Sequence, residues 1–381
     1  MSRPRILCIS LSEFARDGRV LRQLGVLTGH GDVTTVGFGP APAGVVEHLE
    51  VPALPTLPQT PSGVLNLALH RFGAVELAAP AVRAALALVG DRSFDLVVAN
   101  EARALGLAFA VAHGAPVWGD MHEYSPKERD HIPTWRLLVA PFMTHLCRTY
   151  LPRCAAVTTV SEDIVSEYQA VFGVRPELVR NARPFVDLTP GEVLPDGPVR
   201  LAHSGIALHG RGIDLLIRSV QRSTGLTLDL FLVPAGDGGR HLAALHELAG
   251  GDPRITFHDP VAPDDLPRAL NPFDIGVFAM KPSNFNMEHA LPNKLFDFLQ
   301  ARLGMVVTPN SEMRRFVQAN DLGVVATGYD AEAFQAALAS LDREAVTRYK
   351  QSAHRHAHTL SNATDLAVSN AIVERLLATG P

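Results

Sequence analysis

Short apolar runs alternate with helix-period stretches along nearly the whole chain. Runs at Arg5–Leu11, Asp32–Gly39, Asp95–Asn100, Pro116–Asp120 and Ala155–Ser161 have the length and β-branched content of buried strands. A helix-like stretch follows each of them except the second, which leads into a Pro-rich segment, Pro40–Pro61, expected to be a surface connection. The rhythm pauses at Ala182–Pro198, whose Pro, Gly and Asp content predicts a linker. It restarts with Val199–Gly205, Leu226–Val233, Ile255–His258, Asp274–Met280, Met305–Thr308 and Gly323–Ala326. Strands alternating with helices predict parallel, doubly wound α/β sheets. Two Rossmann-like domains are therefore expected, over 1–185 and 186–360, with a helical tail over 361–381 crossing back to the first. Ligands of such sheets bind outside the carboxyl ends of the strands, so two facing sheets would place both loop sets in one cleft.

Composition narrows the function. The chain has 381 residues, 47% of them hydrophobic and 19% charged, as in a globular protein of two domains. A net charge of -5 leaves no basic excess to neutralise nucleic-acid phosphates, so no nucleic-acid partner is expected. Cys8, Cys147 and Cys154 form an odd set without metal-type spacing, and reduced thiols in a cytoplasmic setting are expected. Arg3-Pro4-Arg5 leads straight into the first strand pattern, with no signal-peptide pattern before it. No apolar window reaches the length of a membrane span. Trp135–Leu151 reads as an amphipathic helix, packed on a domain face or touching the inner face of a membrane peripherally.

The segment Ala290–Thr308 carries the sharpest chemistry. Pro292 suits a first helical turn; Leu295, Phe298, Leu299 and Arg302 share one helical side; Gly304 is expected to stop the helix before a strand. Asn293, Lys294 and Asp297 fall on the other side. A helix start with a Lys favours a phosphate, and an acid one turn on can accept hydrogen bonds from sugar hydroxyls. An ordinary capped helix beside a strand gives the same pattern, so the rest of the chain decides. Asp264-Asp265 reads as a helix N-terminus rather than a metal site.

Five motifs in register carry a resemblance. They are Asp17-Gly18-Arg19-Val20-Leu21-Arg22; Asp120-Met121-His122-Glu123; Val157–Ser161 leading to Asn181; Ser204-Gly205 with Arg211-Gly212-Ile213-Asp214; and Pro292-Asn293-Lys294-Leu295-Phe296-Asp297. Together they resemble glycosyltransferase family 4, a retaining family with the GT-B fold, over most of both domains. The resemblance implies a metal-independent transfer of sugar from a nucleoside-diphosphate sugar to an acceptor hydroxyl, with no cofactor beyond that co-substrate. It implies His122 and Arg211 as catalytic residues. It implies a donor site of Gly18, Gly205, His209, Arg211, Asn286, Glu288, His289, Asn293, Lys294 and Asp297, with Asp297 on the ribose and the backbone of 258–262 on the base. It places Glu101, Glu123 and Arg19 on the side of an unidentified acceptor, which could be a small molecule, a glycan or a lipid-linked sugar.

Four positions depart from the family pattern, two of them conservatively: Arg211 stands where a Lys is usual and Asp297 where a Glu is usual. Ile206 stands where a second cation is usual, and His289 stands where the first acid of the paired-acid motif would be. An epimerase of the same fold, acting on sugar nucleotides, and an inactive binding subunit are the alternatives. The family-type Arg-Gly-x-Asp and Pro-Asn-Lys-Leu-Phe segments weigh against the epimerase.

Overall fold

In the first half of the chain, alternation along each strand sends side chains to two faces. In β1 (Arg5–Glu13), Ile6 and Cys8 join one apolar cluster while Leu7 and Ile9 join another. The elements that follow are α1 (Gly18–His30), β2 (Asp32–Phe38), β3 (Glu47–Glu50), α2 (Pro61–Ala68), α3 (Pro80–Val89), β4 (Leu96–Asn100), α4 (Ala102–Val111), β5 (Val117–Met121), α5 (Ala140–Tyr150), β6 (Ala156–Thr159), α6 (Glu162–Phe172) and β7 (Glu177–Leu178). The computed structural model describes residues 3–378; Met1, Ser2 and residues 379–381 of the expected tail lie outside the described residues.

All seven strands run parallel in the order β3-β2-β1-β4-β5-β6-β7. The order reverses beside β1, which opens a crevice at the carboxyl ends of β1 and β4. The 40–61 stretch is more than a surface connection, because it holds β3, the edge strand paired with β2. Its sequence, Glu-His-Leu-Glu, buries only Leu49 and so lacks an apolar run.

A second unit, residues 181–283 and 287–364, repeats the plan; the first unit comprises the remaining residues, including Asn284–Asn286 and the chain from Asp365. In order come β8 (Val199–Ala207), α7 (Ile213–Gln221), β9 (Leu226–Pro234), α8 (Arg240–Ala249), β10 (Ile255–His258), α9 (Leu266–Leu270), β11 (Ile275–Phe278), α10 (Phe285–His289), α11 (Asn293–Gln300), β12 (Gly304–Val307), α12 (Ser311–Ala319), β13 (Gly323–Val325), α13 (Ala331–Ala339), α14 (Arg343–His356) and α15 (Ala363–Ala378). Six parallel strands lie in the order β10-β9-β8-β11-β12-β13. Leu201, Val277 and Val306 face one core; Ala202, Phe278 and Met305 face the other. α15 buries Ile372, Val373 and Leu376 against the α1 side of the first sheet, and Asp365 pairs with Arg180 at 3.0 Å.

Local details differ from the sequence pattern. Pro292 is the N-cap of α11 rather than its first residue, and the helix ends at Gln300, before Gly304. Arg302 makes the reversal at φ +61° and donates to the Leu299 and Gln300 carbonyls, so a cation closes the helix where a glycine was expected. Gly304 instead begins β12. The 135–151 stretch is a π-helical turn, Trp135–Val139, leading into α5, which buries Phe142, Met143, Leu146 and Cys147. The expected linker is pinned to the second unit: Gln300 Oε1 accepts from Val186 N, and Asn271 donates to the Thr189 carbonyl. Cys8 and Cys147 are buried and Cys154 is half-buried, all as free thiols.

Gly276 in β11 packs under Phe298, and a Cβ there would sit 2.3 Å from the ring. Gly276→Ala is expected to cost roughly 1–3 kcal/mol through overpacking. Urea unfolding midpoints measure this, and an unchanged midpoint would contradict the packing described.

Candidate functional site

The second unit holds a cavity of about 300 Å³ at the carboxyl ends of its central strands. Phe231, Val233, Val261, Leu266 and Phe278 form an apolar wall; Arg183, His203, Ser204, Arg211, Asn293 and Lys294 form a polar side. Gly205 and Ile206 also line it. The loop carrying Arg211 is fixed by Gly212, the N-cap of α7 at φ +68°, where a Cβ would lie 2.3 Å from the Ala279 carbonyl oxygen. Only glycine satisfies both constraints. Pro292 offers α11 no side-chain cap, so the first amides and the positive end of the helix remain for an anion.

One carboxylate organises the cations. Asp297 is fully buried; its Oδ1 accepts from Arg183 Nε at 2.5 Å and its Oδ2 lies 3.5 Å from Lys294 Nζ. In this arrangement Asp297 orients two cations of the cavity. Arg183, Arg211 and Lys294 against one carboxylate leave a positive excess facing the cavity.

The floor is polar but uncharged. His203 is 2% exposed, and its Nδ1 donates to the Val277 carbonyl at 2.9 Å. Burial, with Lys294 adding to it, drops its pKa to about 4, so the ring is neutral near pH 7 with Nε2 as an acceptor. The neighbouring Ser204 Oγ is buried without a partner. His258 stacks on the back of Phe231 at 4.4 Å and holds Asp229 at 2.6 Å, stiffening the apolar wall.

The remaining donor-side residues are engaged as follows. His209 packs its ring on His241, with centroids 3.7 Å apart. Glu288 accepts from Tyr329 Oη at 3.0 Å, and His289 ends α10 half-buried. Asn286 belongs to the first unit, where its amide bridges Tyr124 N and O and donates to Glu123 at 3.0 Å. Gly18 begins α1, capped by Asp17, which accepts from Arg19 N and Val20 N.

A charged cluster forms in the first unit around Asp120 at the end of β5. Arg19 meets it with a two-pronged contact at 2.9 and 2.6 Å, while Thr158 and Gln23 also donate to it. Asp120 is 2% exposed, and although burial alone would raise its pKa, Arg19 and His122 hold it well below the usual carboxylate range. Arg19 is itself 8% exposed and bonded to Asp120 and the Val179 carbonyl, so it braces the fold. His122 Nε2 lies 3.1 Å from Asn100 Oδ1 and 3.4 Å from Asp120, and its Nδ1 lies 3.4 Å from Glu101. Burial lowers the His122 pKa, but the Asp120 hydrogen bond and charge, with Glu101, outweigh it and the net direction is up.

Glu101 follows β4 with φ +73° and ψ 154°, a conformation other residues leave to glycine. Desolvation raises its pKa, with Glu128 and Asp17 adding to the rise. Desolvation, then Glu101 and Glu128, push Glu123 up to about 7. The cavity cation Arg183 escaped the sequence reading because it lies in linker-like composition, and His203 because it lies inside a strand. Among the described residues no group of His, Cys, Asp and Glu is placed to hold a metal ion.

Two outcomes follow from the cluster. Arg19→Met strands a buried carboxylate and is expected to cost about 3–5 kcal/mol in denaturant titrations, while Arg19→Met/Asp120→Leu recovers much of it; equal losses in both variants would refute the pairing. Glu123 is solvent-exposed in the fold, yet partial desolvation and the neighbouring carboxyl groups raise its pKa from 4.5 to about 7, so it makes a small, solvent-screened contribution to stability that is full at low pH and is lost as pH rises through that window. A Tm series from pH 4 to pH 8 should therefore decline less steeply for Glu123→Gln than for the native chain, and parallel curves would count against the crowding.

Comparison with known proteins agrees with the architecture. A profile described as Glycosyl transferases group 1 matches residues 198–343, and one described as Glycosyltransferase Family 4 matches residues 33–189. Among curated proteins none matches the chain. Solved structures that are similar include sucrose-phosphate synthase from Thermosynechococcus elongatus, at 14% identity over 99% of this chain and 100% of that one, TM-score 0.72. HepE from Anabaena, solved in complex with UDP-glucose, aligns at 16% identity over 98% and 100%, TM-score 0.67. The UDP-forming α,α-trehalose-phosphate synthase from Burkholderia vietnamiensis aligns at 11% over 99% and 100%, TM-score 0.64. At such identities these likenesses establish the two-domain GT-B fold alone; with both profiles matched in order, the chain belongs to glycosyltransferase family 4.

Proposed function

We propose that this chain is a retaining glycosyltransferase that moves a sugar from a nucleoside diphosphate to an acceptor hydroxyl without a metal. The observation that carries the reading is the cavity of the second unit, with an apolar wall for a base and three cations with an open helix start for a diphosphate. Arg211, Lys294 and Arg183 would neutralise the charge that grows on the leaving diphosphate as the C–O bond to the anomeric carbon breaks. In the same reading Asn293 and Gly205 approach the phosphates, and Glu288 and His289 face the donor sugar. His122 would hydrogen-bond the donor sugar, and Glu101 and Glu123 would orient the acceptor hydroxyl. UDP-glucose in HepE and the UDP-forming synthase make a UDP-sugar the first donor to try. The same reading places the enzyme in the cytoplasm, peripheral to a membrane.

Incubation with UDP-, GDP-, ADP- and dTDP-sugars tests this. Release of nucleoside diphosphate supports the transferase, interconversion to an epimer supports the isomerase, and tight binding without turnover supports a binding subunit. Arg211→Ala and Lys294→Ala should each lower turnover at least about tenfold, the effect of losing roughly 1.4 kcal/mol of transition-state stabilisation. Native turnover in both variants would remove the assignment.

A further inference from the structure

We infer that one face of the first unit, formed by α2 and the π-helical turn Trp135–Val139, docks on an anionic lipid bilayer. α2 is uncharged and apolar on both sides. Gly63 and Leu67 face inward, while Val64, Leu65 and the following Leu69 are 40%, 57% and 52% exposed. A helix with such a pattern is normally covered on every side. The π-helical turn packs beside α2. It buries Trp135 but leaves Leu137 68% exposed, and Ile132 just before it is 37% exposed. Other exposed apolar residues, such as Leu21, Leu88 and Leu208, lie on separate elements and need no explanation. Three on these two packed elements, with Leu69 and Ile132 beside them in the chain, make a patch.

Charge decides the occupant. The chain carries 39 Asp and Glu residues, about one in ten positions, yet Val51–Val75 and His131–Ser161 contain none. Exposed Arg71 and Arg136 stand next to Leu69 and Leu137 along the chain, and exposed Arg148 and Arg153 lie further along the same acid-free stretches; Arg129, just before, is paired with Glu128 at 3.7 Å, and the adjacent acid, Asp130, is half-buried. A second copy meeting this face across a two-fold axis would set the same arginines against each other. An anionic bilayer takes both the apolar side chains and the cations, and it offsets the repulsion that a net charge of -5 would otherwise produce.

The inference deepens the membrane contact proposed above and rests on it, but its test does not use turnover. The full chain is sedimented with phosphatidylcholine vesicles, with and without phosphatidylglycerol. Binding is expected only with phosphatidylglycerol, and about 0.5 M salt should weaken it strongly. Arg71→Ala and Arg136→Ala should each reduce the bound fraction about fivefold, and Leu65→Asp/Leu137→Asp should abolish binding. All four positions are exposed, so the variants keep the fold, and release of nucleoside diphosphate from a soluble donor should be unchanged. Absence of binding, or equal binding by native chain and variants, overturns the inference. So does a concentration-dependent doubling of mass that Leu65→Asp removes, which would make the face a self-association surface.

Discussion

A buried carboxylate must be met by cations, and the second unit is built around that demand. Asp297 is fully buried on α11, where an unpaired charge would be far too costly to keep. Arg183, from the chain entering the unit, and Lys294, one turn away, answer it from different parts of the sequence. The consequence is that both cations are held in place before any ligand arrives. In the proposed reading a diphosphate would meet charges that do not have to be gathered from flexible side chains, which would leave little ordering cost at the moment of reaction.

The first unit solves the same problem differently for each of its acids. Asp120 is deep and fully paired, so it stays ionised and rigid. Glu101 and Glu123 crowd one another and Glu128, and both are pushed toward neutrality. His122 stands between the two kinds of acid, touching Asp120 on one ring nitrogen and Glu101 on the other. Carboxyl groups whose environments drive them apart in this way can carry different tasks at a single pH.

The strands were legible wherever both faces are buried, because a parallel sheet writes continuous apolar runs. The strand β3 was not, since an edge strand with a single buried side chain leaves no such run. Arg211, Asn293 and Lys294 could be placed by their neighbours Gly212 and Pro292, whose local constraints are readable in sequence. The pairing of Arg19 was not legible for a physical reason: a charge reads as exposed unless its partner is known, and Asp120 lies 101 positions away. Arg183 and His203 fell on segments whose composition describes connection and core. What makes them part of the cavity is tertiary contact, with Asp297 for one and the Val277 carbonyl for the other.

The turn at Glu101 bears on how this protein tolerates change. A non-glycine residue at φ +73° and ψ 154° carries a conformational cost of about 1–3 kcal/mol, and glycine in its place would relax the backbone. The position therefore separates two kinds of fitness. Glycine makes the fold firmer and strips the carboxylate from beside His122, while glutamate keeps the carboxylate and weakens the turn. Folding alone would never choose glutamate here, so a screen for thermal resistance would drift away from the natural residue.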